Sequence, residues 1–235
     1  MPIEIRAVGG YREVGKNMTA IKVDDEVIII DMGIHLPNYI NYTQDQEILK
    51  LSARKLIQAG AIPDDSMIYD LKDKVKAIVS THGHLDHIAA IPYLAGKYKC
   101  PVIATPFTCA VLRRMLKDEK IVLPNKIIPM ERDKTRKIGK NFELIFVGMT
   151  HSIPQTVTIA LRTKYGILTY SNDFKMDKKP VIGKKPNYRL LKKLGDEGVH
   201  VSIVNCLYAW NNAKTPSESV VREMLMYVLL NTKTK

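Results

Sequence analysis

The sequence predicts an α/β fold on three observations: short apolar runs at the start, a middle in which apolar runs alternate with helical patterns, and a further block of strands after residue 141. With 235 residues and 46% hydrophobic content, there is ample material for a packed core. Ile3–Val8 reads as a first strand, and Thr19–Val23 with Val27–Asp31 reads as a hairpin around Asp24-Asp25-Glu26. An irregular stretch bearing Gly33, Pro37 and Asn38 leads to Glu47–Ala59, whose apolar spacing suits a helix. Strand Val75–Val79, helix Asp86–Ala95, strand Val102–Ala104 and helix Pro106–Lys117 then alternate, a pattern that implies a sheet covered by helices. Glu131–Asn141 is basic and turn-rich. Strands Glu143–Val147, Thr156–Thr163 and Gly166–Tyr170 follow, the last two joined tightly at Lys164-Tyr165-Gly166. Asn187–Leu194 is expected to be a short helix, Val199–Val204 a buried strand, and Ser217–Leu230 a final helix capped by Thr215 or Ser217, before a polar tail.

Thirty-six basic and 24 acidic residues give a formal net charge of +12, enough to attract a polyanion, with nucleic acid the first candidate and a merely basic soluble protein the plainer reading. Cys100, Cys109 and Cys206 contain no C-x-x-C pair, so neither a disulfide framework nor a cysteine zinc clip is indicated, and a reducing compartment fits. Met1-Pro2-Ile3-Glu4-Ile5-Arg6 lacks the layout of a signal peptide, and no apolar stretch approaches the ~20 residues of a membrane span. A soluble, cytoplasmic protein without a membrane partner is expected.

The chemistry is concentrated after the Val75–Val79 strand. Thr81-His82-Gly83-His84-Leu85-Asp86-His87 gathers three of six histidines and a carboxylate, donor types that suit Zn²⁺ and its first-row neighbours. His82 and His84 are two apart and point the same way in extended backbone, whereas Asp86 and His87 begin a helical pattern, so four ligands aimed two by two suggest two adjacent ions. Met149-Thr150-His151-Ser152 and Ser171-Asn172-Asp173-Phe174 each follow a strand, and strand ends on one sheet edge converge. His151 alone would mean little; beside the opening cluster it is a candidate ligand, and Asp173 is a candidate shared ligand because a carboxylate can bridge two cations. Asp31 ends its strand just before Met32-Gly33, where it either orients the histidine loop through hydrogen bonds or is an ordinary turn aspartate. His35, in a polar loop, and His200, at the start of a strand, are left out of the ligand set.

These residues resemble the metallo-β-lactamase superfamily, more narrowly its nucleic-acid-processing β-CASP branch and within it ribonuclease J of the archaeal and bacterial type. Gly9-Gly10 followed by Glu13-Val14-Gly15-Lys16-Asn17-Met18 matches the ribonuclease J opening. Asp31 matches the superfamily's first motif, His82-x-His84-x-Asp86-His87 the second, Thr150-His151-Ser152-Ile153-Pro154 the third, and Asp173-Phe174-Lys175 the fourth. Thr215-Pro216-Ser217-Glu218 resembles the start of the β-CASP insert. The resemblance implies an αββα sandwich over residues 1–210, truncated, with 211–235 beginning a β-CASP region. It implies one metal, usually zinc, on His82, His84, His151 and Asp173 and another on Asp86, His87 and Asp173. Manganese is the other candidate. The implied activity is hydrolysis of RNA phosphodiester bonds from the 5′ end or internally, with Asp86 orienting the attacking water or accepting its proton. Two cations ~3.5–4 Å apart would lower that water's pKa towards ~7 and neutralise charge on the phosphate oxygens.

Departures from the family shape the remaining expectations. Family members are longer, and the part beyond this chain would supply a last histidine on the second metal, so that ion is expected to be under-coordinated here. Asn172 stands where the family usually has glycine, and Asn205-Cys206-Leu207-Tyr208 where relatives carry an acidic-Ser-Thr sequence. An unfinished sheet implies a homodimer or a complementing polypeptide. Tyr208 and Trp210 either stack on bases or pack at an interface. Two other functions stay open: an inactive module that binds metal or RNA or serves assembly, and a small-substrate hydrolase using the same ligands.

Overall fold

The computed structural model describes residues 2–44 and 52–232. One sheet contains, in spatial order, β1 (Ile3–Gly9), β2 (Met18–Val23), β3 (Glu26–Ile30), β4 (Val75–Val79), β5 (Val102–Ala104) and β6 (Ile127–Pro129). Its first three strands are antiparallel and β3 to β6 run parallel. The other sheet starts at β7 (Thr135–Ile138) and continues through β8 (Phe142–Gly148), β9 (Val157–Thr163) and β10 (Gly166–Ser171) to β11 (Val199–Val204), antiparallel except for the β10–β11 pair.

Period-two alternation stacks these sheets. Met18, Ala20, Val27 and Ile29 face one side of the first sheet, and Ile21, Val23, Ile28 and Ile30 face the other, all buried. Strands that are apolar on both faces need a cover on each. The first face is covered by α1 (Leu36–Thr43), α2 (Ala53–Gln58), α3 (Leu85–Ile88), α4 (Ile91–Leu94) and α5 (Pro106–Asp118), with a 3₁₀ segment over Asp65–Lys74. The second face meets Leu144, Phe146, Ile159, Leu161 and Tyr170 of the other sheet. That sheet's outer face, Ile145, Val147, Ala160 and Ile167, is covered by Leu190, Leu191 and Leu194 of α6 (Tyr188–Glu197). The layers run helix, sheet, sheet, helix, which is the αββα sandwich the resemblance implied.

Local departures have physical causes. The expected helix over Asp86–Ala95 is two short helices, because the Ala90 N–H turns to the Met32 carbonyl (2.9 Å) and the His87 carbonyl takes the Met32 N–H (2.8 Å). The irregular stretch after Gly33 contains α1, with His35 as its cap and Pro37 in its first turn. The turn-rich Glu131–Asn141 carries β7, a short edge strand whose Thr135, Arg136 and Lys137 are exposed. Of the helix expected over Glu47–Ala59, Ala53–Gln58 is formed and residues 47–51 lie outside the described residues.

Val199–Val204 was expected to be buried but is an edge strand: Val201 and Ile203 pack inward, whereas His200, Ser202 and Val204 face solvent. The last helix, α7 (Glu218–Asn231), buries none of its residues. It is held at its start, where the Ser217 hydroxyl donates to Asp177 Oδ1 (2.7 Å) and the Glu218 N–H to Asp177 Oδ2 (2.8 Å).

Candidate metal centre

The centre lies where β3, β4, β8 and β10 end. Asp31 follows β3, its N–H donating to the Val79 carbonyl (2.9 Å) at a φ of 59°, a left-handed conformation that aspartate tolerates. Its carboxylate accepts from the Thr81 N–H (2.8 Å) and hydroxyl (2.9 Å) and faces His87 Nδ1 at 2.8 Å. The extended segment after Thr81 carries His82 and His84, and α3 carries Asp86 and His87. The second sheet contributes His151 after β8 and Asp173 after β10, their loops joined by the Lys175 N–H to the Thr150 carbonyl (2.7 Å). The Val157 N–H donates to the Thr81 carbonyl (3.0 Å), which ties the two sheets together beside the cluster.

All six residues read from the sequence as ligands converge. His82 Nε2 is 3.1 Å from His84 Nδ1, which is 3.2 Å from His151 Nε2. Asp173 Oδ2 lies 3.5 Å from His151 Nε2, 3.7 Å from His87 Nε2 and 3.8 Å from His82 Nε2, and Asp86 Oδ2 is 3.4 Å from His87 Nε2. The donor atoms form two groups, His82–His84–His151–Asp173 and Asp86–His87–Asp173, each lying within 4.8 Å of one another. Two nitrogens each 2.0–2.1 Å from a tetrahedral ion would stand about 3.3 Å apart, so the spacing fits a shared cation better than side chains bonded only to one another. The donors fit divalent metal ions. His35, which accepts the Asn38 N–H in the cap of α1, and the exposed His200 belong to neither group.

The local field separates the histidines. Burial, reinforced by the neighbouring His87, His151 and His84, holds His82 well below the usual imidazole range. Burial and His151 also lower His84. Both are therefore neutral near pH 7, as ligation requires. Burial opposes charge on His87 too, but the carboxylates of Asp31, Asp173 and Asp86 outweigh it and raise His87 well above the usual value. Asp86 and Asp173 are lowered despite burial, Asp86 mainly by His87 and Asp173 mainly by His151 and His87. The three carboxylates around His87 thus create a negative field that a proton or a divalent ion can satisfy.

Three asparagines were noted in the sequence but given no role at the site, because amides carry no metal-ligand signature. Asn17 donates through Nδ2 to the Asp86 carbonyl (3.0 Å) and stands 3.2 Å from His87 Nε2. Asn172 lies 3.4 Å from His87 Nδ1 and donates to the Tyr170 hydroxyl (3.0 Å). Asn205 donates to Asp173 Oδ1 (2.5 Å). A cavity of about 420 Å³ opens beside Asp86 and Asp173, between the Gly9–Asn17 loop and Asn205–Leu207.

The chain is 43% identical to a ribonuclease J of Methanocaldococcus jannaschii over 98% of its length and 51% of that protein's. It is 40% identical to a ribonuclease J of Pyrococcus abyssi over 95% of its length and 49% of that protein's. It therefore spans about half the length of these curated relatives. A crystal structure of a protein of unknown function from Enterococcus faecalis V583 superposes with a TM-score of 0.67 at 16% identity, covering 97% of this chain and 58% of the other, and shares the fold. The metallo-beta-lactamase superfamily profile matches residues 11–153, a span that includes the His82–His87 segment and His151. Matched by this profile over more than half its length, and built as two facing sheets with a histidine–aspartate cluster at their shared rim, the chain belongs to the metallo-beta-lactamase superfamily.

Proposed function

We propose that the protein is a zinc-dependent hydrolase of RNA phosphodiester bonds of the ribonuclease J kind, working from the 5′ end, internally, or both. The observation that carries this reading is the pair of donor groups meeting on one carboxylate, Asp173. The two relatives named ribonuclease J support RNA as the substrate class. In this reading His82, His84, His151 and Asp173 hold one ion and Asp86, His87 and Asp173 the other. The imidazole-rich first group favours Zn²⁺, with Mn²⁺ as the alternative. Bound there, the two ions would supply a nucleophile at neutral pH and positive charge for the phosphate oxygens.

The chain's own side chains do the rest. Asp86 Oδ2 faces the second site from α3, where it can orient the attacking water and accept its proton. Asp31 opposes His87 Nδ1 and keeps Nε2 turned to the ion. The net charge of +12 holds the RNA backbone near the rim. Residues 1–210 would be the lactamase-like domain and 211–235 the beginning of a β-CASP region, with action in the cytoplasm.

The exposed apolar side chains of α7 favour a second element of the reading: a homodimer or complementing polypeptide covers them, and an assembly or binding role without turnover is the alternative. Turnover of 5′-monophosphorylated RNA with added Zn²⁺ or Mn²⁺ tests the enzymatic claim. The His84→Ala variant is expected to lose at least about 100-fold in rate. Equally negligible rates for the two proteins would overturn catalysis by this chain.

A further inference from the structure

The closest approach of Asp173 to each of three histidines is made by the same oxygen. Oδ2 makes the contacts to His151, His87 and His82, at 3.5, 3.7 and 3.8 Å. The other oxygen, Oδ1, accepts from Asn205 Nδ2 at 2.5 Å. The Asn205 amide is itself fixed: its Oδ1 accepts the Leu207 N–H (2.8 Å), so reversing the amide would set donor against donor. The Asn205 N–H donates to the Ser171 carbonyl (2.9 Å), which docks the end of β11 on the end of β10, two residues before Asp173.

We propose that Asn205 is a positioning residue that holds Asp173 so that one oxygen alone is offered to both ion sites. The inference rests on the two-ion reading above but not on the identity of the substrate. A carboxylate turns easily about its terminal torsion and could otherwise give both oxygens to a single ion. A charge-assisted hydrogen bond to one oxygen makes that rotation costly.

Mn²⁺ titration of the full chain, followed by electron paramagnetic resonance, tests the inference, because two ions sharing one oxygen are exchange-coupled and lose the six-line signal of isolated Mn²⁺. Asn205 is exposed, so Asn205→Ala is expected to leave the unfolding midpoint of the metal-free protein essentially unchanged. The same variant should weaken the second ion at least about tenfold and bring back the six-line signal. Asn205→Asp keeps the acceptor for the Leu207 N–H, and with it the turn, but sets oxygen against oxygen; it is expected to lose the coupled signal as well. Wild-type coupling in Asn205→Asp alone would overturn the proposal, since the turn and not the donor would then be what matters, and wild-type coupling in both variants would overturn it because neither would matter. Failure of the two-ion reading shows differently: the unmodified chain itself would then take up fewer than two ions.

Discussion

Gly33 shows how tightly single residues are held around the centre. A Cβ there would collide with the Asp86 carbonyl, because the Gly33 backbone passes directly beside the turn that carries Asp86 and His87. Gly33→Ala is expected to cost about 3 kcal/mol in denaturant unfolding, as overpacking against backbone that cannot yield. Asp31→Asn keeps the shape but removes the charge opposite His87; metal affinity by competition with a chelator is expected to drop about 10- to 100-fold. The candidate cluster was legible because histidines and carboxylates stand out at strand ends. Asn17, Asn172 and Asn205 were not, since an amide acquires a role here only through partners 69, 85 and 32 residues away.

At the scale of elements, the strands that were legible are those buried on both faces, such as β3 and β4, where a run of Val and Ile leaves no other reading. β6 was missed because it is three residues long and ends in Pro129, as an edge strand can. α1 was hidden by Pro37 and Asn38, which look like turn residues but sit in its first turn. α7 was legible as a helix, although its exposure was not, because periodicity cannot say whether a partner is present. Its attachment depends on Asp177, whose carboxyl is held below the usual range: burial pushes it up, but the Glu218 N–H, the Ser217 hydroxyl and the Lys179 N–H outweigh burial. The stabilisation from this group is therefore fully present above about pH 4 and is lost as the pH falls through its lowered value. Backbone chemical shifts of residues 218–222 should move towards coil values over that acidic range and not between pH 5 and 8. Asp177→Ala should cost about 1–2 kcal/mol at neutral pH, read as lost amide protection at the start of α7.

For the whole molecule, charge and apolar exposure give separate expectations. If the +12 charge acts on RNA phosphates, affinity should fall steeply between roughly 50 and 200 mM salt, along a straight line in log–log form whose slope counts the contacts. Trp210 is 79% exposed and Leu230 77%, and Leu225, Tyr227 and Leu229 of α7 are exposed as well. Sedimentation velocity is expected to show concentration-dependent association, reduced by paired Leu225→Ser and Leu229→Ser substitutions that touch no buried core. The candidate ligands are split between two layers: His82 to His87 hang from the first sheet, whereas His151 and Asp173 hang from the second. An ion bound to both would act as a clasp across the seam, so each tenfold excess of free metal over its dissociation constant adds about 1.4 kcal/mol against separation of the halves. Chelation would then loosen the molecule along that seam first, and the Val157 amide, bonded to Thr81 on the opposite layer, is where the loosening would register as faster hydrogen exchange.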